Sequence, residues 1–470
     1  MWYNVITQSV YTRGGDYMYR VRQIQIRKGQ KLYDYCMDIT RKVSKLYNRA
    51  NYIVRQYATG TEAEEEGRTL HPNQKEILQM VRQVICGTKF EPKGKWLGYY
   101  QLDFILKKTK DFDYYNVPSQ VNQQTLKLLV RDYRSFFEGL KRYHKNPGAF
   151  TGRPQLPGYK RGGSTVILTN QVCVLHEGRF LKLPKCRDGQ ADLGPVCGML
   201  KEARVKPMHD RMVLEAVLET GEEKEEISGE KLLEMCREIT FPGKVLGIDP
   251  GVNNLLAVTN NFGEQPLLIS GRIIKSINRY YNKELARLKS AAVRCNGRKI
   301  TKRIRALTRK RNNRIKDAMH KISRWVKEYA LSHNVKIVAM GHNRFQKQEA
   351  SMGHKANQNF VQIPMEMLRK QLKYKLEEAG ILFVSAEESY TSKSDYLAQD
   401  DIPVYGGQGY MCYPFSGKRV HRGLYRHYNG TVSNADINGA ANILRKVFPN
   451  VPKELWNSGL LDSPYQVRIF

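Results

Sequence analysis

The second half of the sequence predicts an α/β fold organised around one mixed β-sheet. Three apolar segments, "KVLGID", "NLLAVTNN" and "EQPLLISG", follow one another between residues 244 and 271, with Gly- and Asn-containing turns between them. Such a series predicts three consecutive hairpin strands. Two further apolar segments, "KIVAMG" and "ILFVSAEE", each follow a helical pattern. This arrangement predicts two strands that return parallel to the first one.

A final helical pattern, "ADINGAANILRKVF", completes this series of elements. Three hairpin strands, two helix–strand units and a closing helix are the pattern of an RNase H-like fold. The long segment between the third and fourth strands, residues 274–333, has apolar residues at helical spacing and Lys or Arg at most other positions. We therefore expect a basic helical stretch within the α/β domain.

The first half of the sequence predicts a β domain that is interrupted by helices. The segment "YRVRQIQI" alternates basic or polar residues with apolar ones, as a strand with one wet face does. Helical patterns follow up to residue 146, and a Pro- and Gly-rich segment then leads to short strand-like runs. We expect a β domain from 1–25 and 147–237, a helical insertion from 26–146, the α/β domain from 238–389 and 430–470, and an insert from 390–429.

The charge balance points to a polyanionic partner. The 470 residues include 78 Lys and Arg against 45 Asp and Glu, a formal net charge of +33. A compact chain with this excess repels itself unless phosphates neutralise part of it, so nucleic acid is the expected partner. We find no apolar run of about 18 residues and no secretory signal pattern, and therefore expect no membrane partner and an intracellular location.

Basic residues are concentrated in three segments: a Pro- and Gly-rich loop, the basic helical stretch and a hairpin near residue 430. A run of charge on a helix is often only a solvated face, and this alternative stays open. So many like charges with few acids between them favour contact with phosphates. The expected nucleic-acid-binding residues are Arg153, Lys160, Arg161, Lys302, Arg303, Arg305, Arg309, Lys310, Arg311, Arg314, Lys418, Arg419, Arg422 and Arg426.

Two aspartates stand where a metal site could form. Asp249 ends the first predicted strand of the α/β domain, and Asp436 lies at the start of its last helix. Carboxylates suit Mg²⁺, and phosphodiester hydrolysis by two metal ions needs several of them. Each aspartate also has a structural alternative, because Asp249 could form an Asx turn and Asp436 could be the N-cap of its helix.

Taken together, these segments resemble the TnpB family of transposon-encoded RNA-guided nucleases. "GIDPGVNN" and "NADINGAANI" are similar to the first and third motifs of a split RuvC nuclease domain. "SKLYNRANYIVRQ" and "RPQLPGYK" are similar to the family's N-terminal half. The resemblance implies a RuvC domain with Asp249 and Asp436 as metal ligands. It also implies a preceding wedge domain, similar to a β-barrel, with a helical recognition insertion.

The sequence departs from the family pattern at two places. Gly341 in "IVAMGHN" stands where the second motif has a glutamate. Asp395 stands where the family's zinc ribbon has its first cysteine, and Cys412 is the one cysteine of that region. None of the eight cysteines forms a CxxC pair, so we expect no zinc and no redox pair.

Two explanations of the missing glutamate stay open. The chain could bind nucleic acid without cutting it, or a neighbouring strand could supply the carboxylate. "VSAEESYTSK" offers Glu387 and Glu388 at the end of the fifth strand, about 4.8 Å from the fourth. Relatives that include the family's eukaryotic branch also have an uncharged second motif and a Glu just before "TSK", which identifies Glu388 as the ligand. Glu387 points to the opposite face by strand alternation.

The resemblance thus implies an RNA-guided DNA endonuclease. Its cofactor would be Mg²⁺, as two ions, held by Asp249, Glu388 and Asp436. Its partners would be guide RNA and target DNA in the cytoplasm or nucleoid of a prokaryote, with the oligomeric state undetermined. One alternative is an RNA-guided DNA-binding protein without nuclease activity, such as a repressor, and a further one is a DNA transposase.

Overall fold

A computed structural model of the protein shows a mixed α/β chain, as the sequence predicts. The chain divides into two compact units, Met1–Glu225 (unit 1) and Glu226–Phe470 (unit 2). No helix among the described residues is both long and apolar enough to cross a membrane. The described residues are 6–9, 17–92, 94–187, 189–208, 211–223, 228–297, 300–343, 362–403, 414–421, 423–451 and 463–469.

Unit 1 consists of antiparallel strands with a block of helices inserted between the second and third strands. Its elements are β1 (Ile6–Ser9), β2 (Tyr17–Arg27), α1 (Tyr33–Glu65), α2 (Pro72–Ile85), α3 (Tyr99–Lys108), α4 (Phe112–Tyr115), α5 (Ser119–Lys145), β3 (Val166–Thr169), β4 (Val174–His176), β5 (Phe180–Lys182), β6 (Ala191–Asp192), β7 (Met199–Met208) and β8 (Arg211–Glu223). Among the described residues of unit 1, the larger of two sheets has the order β1-β2-β8-β7-β3. One hydrophobic core joins this sheet to the helices, with Leu46, Tyr47 and Ile53 of α1 fully buried in it.

Unit 2 contains one large sheet, two groups of helices and a small three-stranded sheet. Its elements are α6 (Gly229–Glu238), β9 (Val245–Pro250), β10 (Asn254–Asn260), β11 (Leu267–Ser270), α7 (Arg272–Asn296), α8 (Lys302–Ser332), β12 (Ile337–His342), α9 (Met365–Glu378), β13 (Leu382–Glu387), β14 (Lys418–His421), β15 (Leu424–Arg426), β16 (Val432–Asn434), α10 (Ala435–Val447) and β17 (Tyr465–Val467). Strands β14, β15 and β16 form the small sheet.

The large sheet of unit 2 has the strand order β13-β12-β9-β10-β11-β17 among the described residues. β9, β10 and β11 are antiparallel neighbours, whereas β12 and β13 run parallel to β9. The predicted directions of the fourth and fifth strands are therefore confirmed. Strand β17, which pairs with β11 in parallel, was not predicted from the sequence.

Alternate residues of β9 enter two different cores. Leu246 and Ile248 pack with residues of α8 and α9 on one face of the sheet. Val245 packs with residues of α10 on the other face. Because helices cover both faces of the sheet, the central strands are continuous apolar runs and do not alternate between apolar and polar residues. By the same alternation, Asp249 belongs to the face that α10 covers.

Helix α10 lies very close to β9 because the strand has a glycine at the contact. A Cβ atom added at Gly247 would lie 2.4 Å from Leu444 Cγ and 2.7 Å from the Ala440 carbonyl oxygen of α10. A backbone oxygen cannot move aside without shifting the whole helix. The absence of a side chain at Gly247 therefore sets the distance between strand and helix.

Replacing Gly247 with alanine should destabilise unit 2. We expect Gly247→Ala to lower the free energy of unfolding by about 1–3 kcal/mol, the usual cost of overpacking a core. The midpoint of urea denaturation measures this loss. Gly229→Ala, at the first residue of α6 with no atom near the added Cβ, is the matched control and should have little effect. Equal midpoints for the two variants would contradict the close contact.

Candidate functional site

Asp249 lies at the end of β9, where α10 crosses the sheet edge. It pairs with Ala257 across β9 and β10 and is partly buried. A Cβ atom at Gly439 of α10 would lie 2.8 Å from Asp249 Oδ2, so this carboxylate rests against bare helix backbone. Among the described residues no side chain or backbone group donates a hydrogen bond to the Asp249 carboxylate. The alternative of an Asx turn is therefore not what the structure shows.

Asp436 lies in the first turn of α10 and is not its N-cap. The cap is Asn434, whose side chain accepts hydrogen bonds from the backbone N–H groups of Asp436 and Ile437. The structural alternative for Asp436 is therefore wrong, and its carboxylate is available for other contacts. Asn254 Nδ2 donates to Asp436 Oδ2 at 2.8 Å, and the Arg419 guanidinium lies 3.5 Å from Oδ1.

Glu388 follows directly after β13 and lies over the glycine that replaces the second-motif glutamate. β13 pairs with β12 so that Ala386 is opposite Gly341 and Glu387 is opposite His342. A Cβ atom at Gly341 would lie 2.7 Å from Glu388 Cγ and 2.8 Å from Glu388 Oε1. The Glu388 side chain thus occupies the space that a side chain on Gly341 would need.

The environments of Asp249 and Glu388 disfavour the charged forms of these two carboxyl groups. Burial, followed by the negative charges of Glu388 and Asp436, raises the pKa of Asp249 well above its usual range, and Arg419 opposes this only in part. Burial and then the charge of Glu387 raise the pKa of Glu388 to about 7. Within the described part of the chain, Glu388 Oε1 is buried and has no hydrogen-bond partner.

The carboxylate oxygens of Asp249, Glu388 and Asp436 are suitable ligands for a divalent cation. Carboxylate oxygens are the ligands that Mg²⁺ prefers, and a cation would relieve both the repulsion and the unpaired oxygen. In the described residues no three His, Cys, Asp or Glu side chains already stand close enough to enclose a metal.

Glu387 has a different environment from its neighbour. Lys446 Nζ donates to Glu387 Oε2 at 2.7 Å, and the Ser389 backbone N–H donates to Oε1 at 2.7 Å. Although burial opposes it, these hydrogen bonds hold the pKa of Glu387 below its usual range. The Glu387 carboxylate is therefore engaged by Lys446 and Ser389. His342 Nε2, next to Gly341, lies 3.8 Å from Glu366 Oε2.

Asp395, at the position of the ribbon's first cysteine, belongs to a buried hydrogen-bonded cluster. His427 Nδ1 lies 2.6 Å from Asp395 Oδ1, and the Tyr428 backbone N–H donates to Oδ2 at 2.6 Å. His427 Nε2 lies 2.7 Å from Ser433 Oγ. This cluster links two segments of the insert through side chains. Cys412 lies outside the described residues.

The basic stretch forms α8, and most of its predicted contact residues face solvent. Arg309 and Arg311 are only partly exposed. Arg311 donates to Asn278 Oδ1 at 2.9 Å and to the Gln362 carbonyl at 3.0 Å, so its guanidinium fastens α8 to α7. The exposed members on α8 are Lys302, Arg303, Arg305, Lys310 and Arg314.

The other predicted contact residues also include both partly exposed and exposed side chains. Lys160 lies 4.4 Å over the Tyr47 ring and 3.5 Å from Asp132, and its backbone pairs with the Asn48 side chain. Arg422 lies outside the described residues. The exposed members are Arg153, Arg161, Lys418, Arg419 and Arg426.

Two contributors to the site, Asn254 and Gly439, were not predicted, and Gly341 was predicted only as the position of the missing glutamate. Asn254 binds Asp436 across the sheet edge, and Gly341 and Gly439 leave room for Glu388 and Asp249. Asn254 stands in "GVNN", directly after the predicted Asp249 strand, and Gly439 stands in the small-residue run "NGAAN". Both sequence segments can be recognised without a structure. That Asn254 contacts Asp436, and that Gly439 contacts Asp249, is defined only by the fold.

Two family models match the second half of the chain. OrfB_IS605, described as a probable transposase, matches residues 226–346, and the Cas12f1-like TNB domain matches residues 366–443. Asp249 lies in the first range, and Glu388 and Asp436 lie in the second. Unit 2 is therefore TnpB-like and Cas12f1-like in sequence, which confirms the predicted resemblance.

Two solved structures are similar to the chain over most of its length. "Cryo-EM structure of the Cas12f1-sgRNA-target DNA complex" is 13% identical, covers 90% of this chain and 98% of that chain, and has a TM-score of 0.31. "Cryo-EM structure of CRISPR-Cas12f Ternary Complex" is also 13% identical, covers 86% and 81%, and has a TM-score of 0.32. No curated protein sequence matches the chain.

The carboxylates predict an unusual dependence of stability on pH. A carboxyl group with a raised pKa in the folded state binds protons more readily there than in the unfolded chain. For Glu388 this difference extends from its ordinary 4.5 to about 7. The free energy of unfolding in EDTA should therefore increase as pH falls through this range.

Glu388→Gln tests this expectation by thermal unfolding. At pH 8 in EDTA the variant should be more stable than the parent chain, and its stability should change less between pH 8 and pH 6. Mn²⁺ should stabilise the parent more than the variant, since a bound ion favours the folded state. A variant less stable than the parent at pH 8 in EDTA would contradict the proposed crowding of charge.

Proposed function

We propose that this protein is an RNA-guided DNA endonuclease. Unit 2 would be a RuvC-type nuclease domain of RNase H-like fold, which its strand order and the two family matches support. The sheet of unit 1, with its helices inserted between β2 and β3, supports a wedge domain with a recognition insertion. The insert at 390–429 would contact the target strand.

The observation that carries the proposal is the position of Glu388. A chain that had lost nuclease activity has no reason to keep a buried carboxylate over Gly341, beside Asp249 and at an electrostatic cost. The Glu388 side chain fills the space above Gly341, and its charge raises the pKa of Asp249. Cleavage is therefore favoured over guide-dependent binding alone.

The side chains of the site would divide the work as follows. Asp249, Glu388 and Asp436 would hold two Mg²⁺ ions, which supply Lewis acidity toward the phosphate and a hydrolytic water at neutral pH. Asn254 would orient Asp436 through its hydrogen bond. Asp249 and Glu388, whose pKa values are raised, would have to be deprotonated to act as ligands. Arg419 would bind a phosphate oxygen of the DNA.

Guide RNA and target DNA are the proposed partners. The net charge of +33 and the exposed basic residues of α8 suit a nucleic-acid backbone. Specificity would come from base pairing with the guide, while the protein would read a short flanking motif in the DNA. The full chain should therefore copurify with RNA.

Cleavage by the copurified complex tests the function. DNA that matches the guide and carries the flanking motif should be cut in Mg²⁺ and left intact in EDTA. Asp249→Asn, Glu388→Gln and Asp436→Asn should each lose more than the roughly 10–100-fold that removal of an outer-shell partner costs. Glu328→Gln, which alters an exposed ion pair on α8, is the control and should cut normally.

Other results would identify other functions. Tight binding of the matched DNA without Mg²⁺-dependent products would indicate a guide-dependent binding protein such as a repressor. Strand joining in the absence of RNA would indicate a transposase, the activity that the description of the first family model names. Normal cutting by Glu388→Gln would remove Glu388 from the catalytic set.

A further inference from the structure

Lys446 makes an unusual set of contacts around the segment that carries Glu388. It lies in the last turn of α10, and its side chain is only 9% exposed. Its ammonium group donates to Glu387 Oε2 at 2.7 Å, to the Ser389 carbonyl at 2.8 Å and to the Glu387 carbonyl at 3.2 Å. One cation therefore binds the backbone on both sides of Glu388.

Glu388 needs such a support because it lies beyond the ladder of its strand. The pairing of β12 with β13 ends at His342 and Glu387. Beyond it, the Glu388 carbonyl accepts from the Thr391 backbone N–H and hydroxyl, which fixes the turn that follows. Lys446 supplies the contacts to residues 387 and 389, and these restrict the path of the chain where the Glu388 side chain leaves it.

We propose that Lys446 is a positioning residue for the metal site. By fastening residues 387 and 389 to α10, Lys446 holds the Glu388 side chain over Gly341. A glutamate on β12 itself would be aligned by the strand ladder. A glutamate that reaches in from the next strand has no ladder bond at its own position, so a contact from the helix takes over this role. The inference rests on the proposed function, because it assigns Glu388 as a metal ligand.

A purely structural role for Lys446 predicts a different result. A buried lysine that is paired with a carboxylate contributes to folding wherever it stands, and its loss would lower stability without changing metal affinity. The two roles are therefore separated by measuring metal binding and unfolding on the same variants. Outer-shell partners of metal ligands typically contribute about 10–100-fold in metal affinity.

The experiment is calorimetric titration of the nucleic-acid-free full-length chain with Mn²⁺. Lys446→Met should weaken Mn²⁺ binding by about tenfold or more, and Lys446→Arg, which keeps the charge and the donors, should lose less. Lys375→Met is the matched control in unit 2. Lys375 is a largely buried lysine that donates to the His320 carbonyl and to Ser323 Oγ, and its loss should lower the unfolding temperature without changing Mn²⁺ affinity.

A double-mutant cycle shows whether Lys446 affects Mn²⁺ binding through Glu388. If Lys446 acts through Glu388, Lys446→Met should weaken Mn²⁺ binding in the parent and add almost nothing in the Glu388→Gln background. Unchanged affinity in Lys446→Met, or losses that add fully in the double variant, would overturn the inference while the proposed function stands. A parent chain that neither binds Mn²⁺ nor cuts DNA would overturn the proposed function itself.

Discussion

The close approach of helix α10 to strand β9 is the contact on which the candidate site depends. Gly247 lets the helix lie against the strand, and Gly439 leaves room for the Asp249 carboxylate beside the helix backbone. Because Asp436 stands in the first turn of the same helix, this one contact brings two carboxylates from distant parts of the sequence to the same sheet edge. A third glycine, Gly341, gives the Glu388 side chain its space.

This arrangement disfavours the charged forms of Asp249 and Glu388, two of the carboxyl groups that would have to bind the metal. Burial raises the pKa of both Asp249 and Glu388, with a further rise from Glu388 and Asp436 at Asp249 and from Glu387 at Glu388. The cations nearby are already engaged. Lys446 is bound to Glu387 and to the backbone, and Arg419 reaches Asp436 only at 3.5 Å. Proteins commonly accept a loss of stability at functional sites, where perturbed pKa values also concentrate.

Sequence patterns predicted those parts of the fold that depend on local order. The hairpin β9–β10–β11 joins neighbours in the chain, and the parallel direction of β12 and β13 follows from the helices between them. The end of β9 located Asp249. The short distance between adjacent parallel strands made Glu387 and Glu388 candidates, and the resemblance to the family identified Glu388. The predicted domain boundaries and the ligand roles stay predictions.

The features that were not predicted are those set by contacts between distant residues. β17 pairs with β11 across some two hundred residues of chain, and no local pattern encodes such a pairing. Asn434 rather than Asp436 caps α10, because the helix begins at Ala435, ahead of Asp436. In the sequence Arg311 cannot be distinguished from its basic neighbours, but in the structure its guanidinium donates to the Gln362 carbonyl.

We infer that Glu388 supplies the third carboxylate of a metal site from the strand next to the usual one. Anomalous scattering from crystals of the full-length chain soaked in Mn²⁺ tests it most directly. We expect an anomalous peak at the end of β9, with oxygens of Asp249, Glu388 and Asp436 at about 2.0–2.6 Å, the range of hard divalent cations with oxygen ligands. A peak bound by Asp249 and Asp436 with Glu388 turned away from it, or no peak at the site, would show that Glu388 is not a ligand.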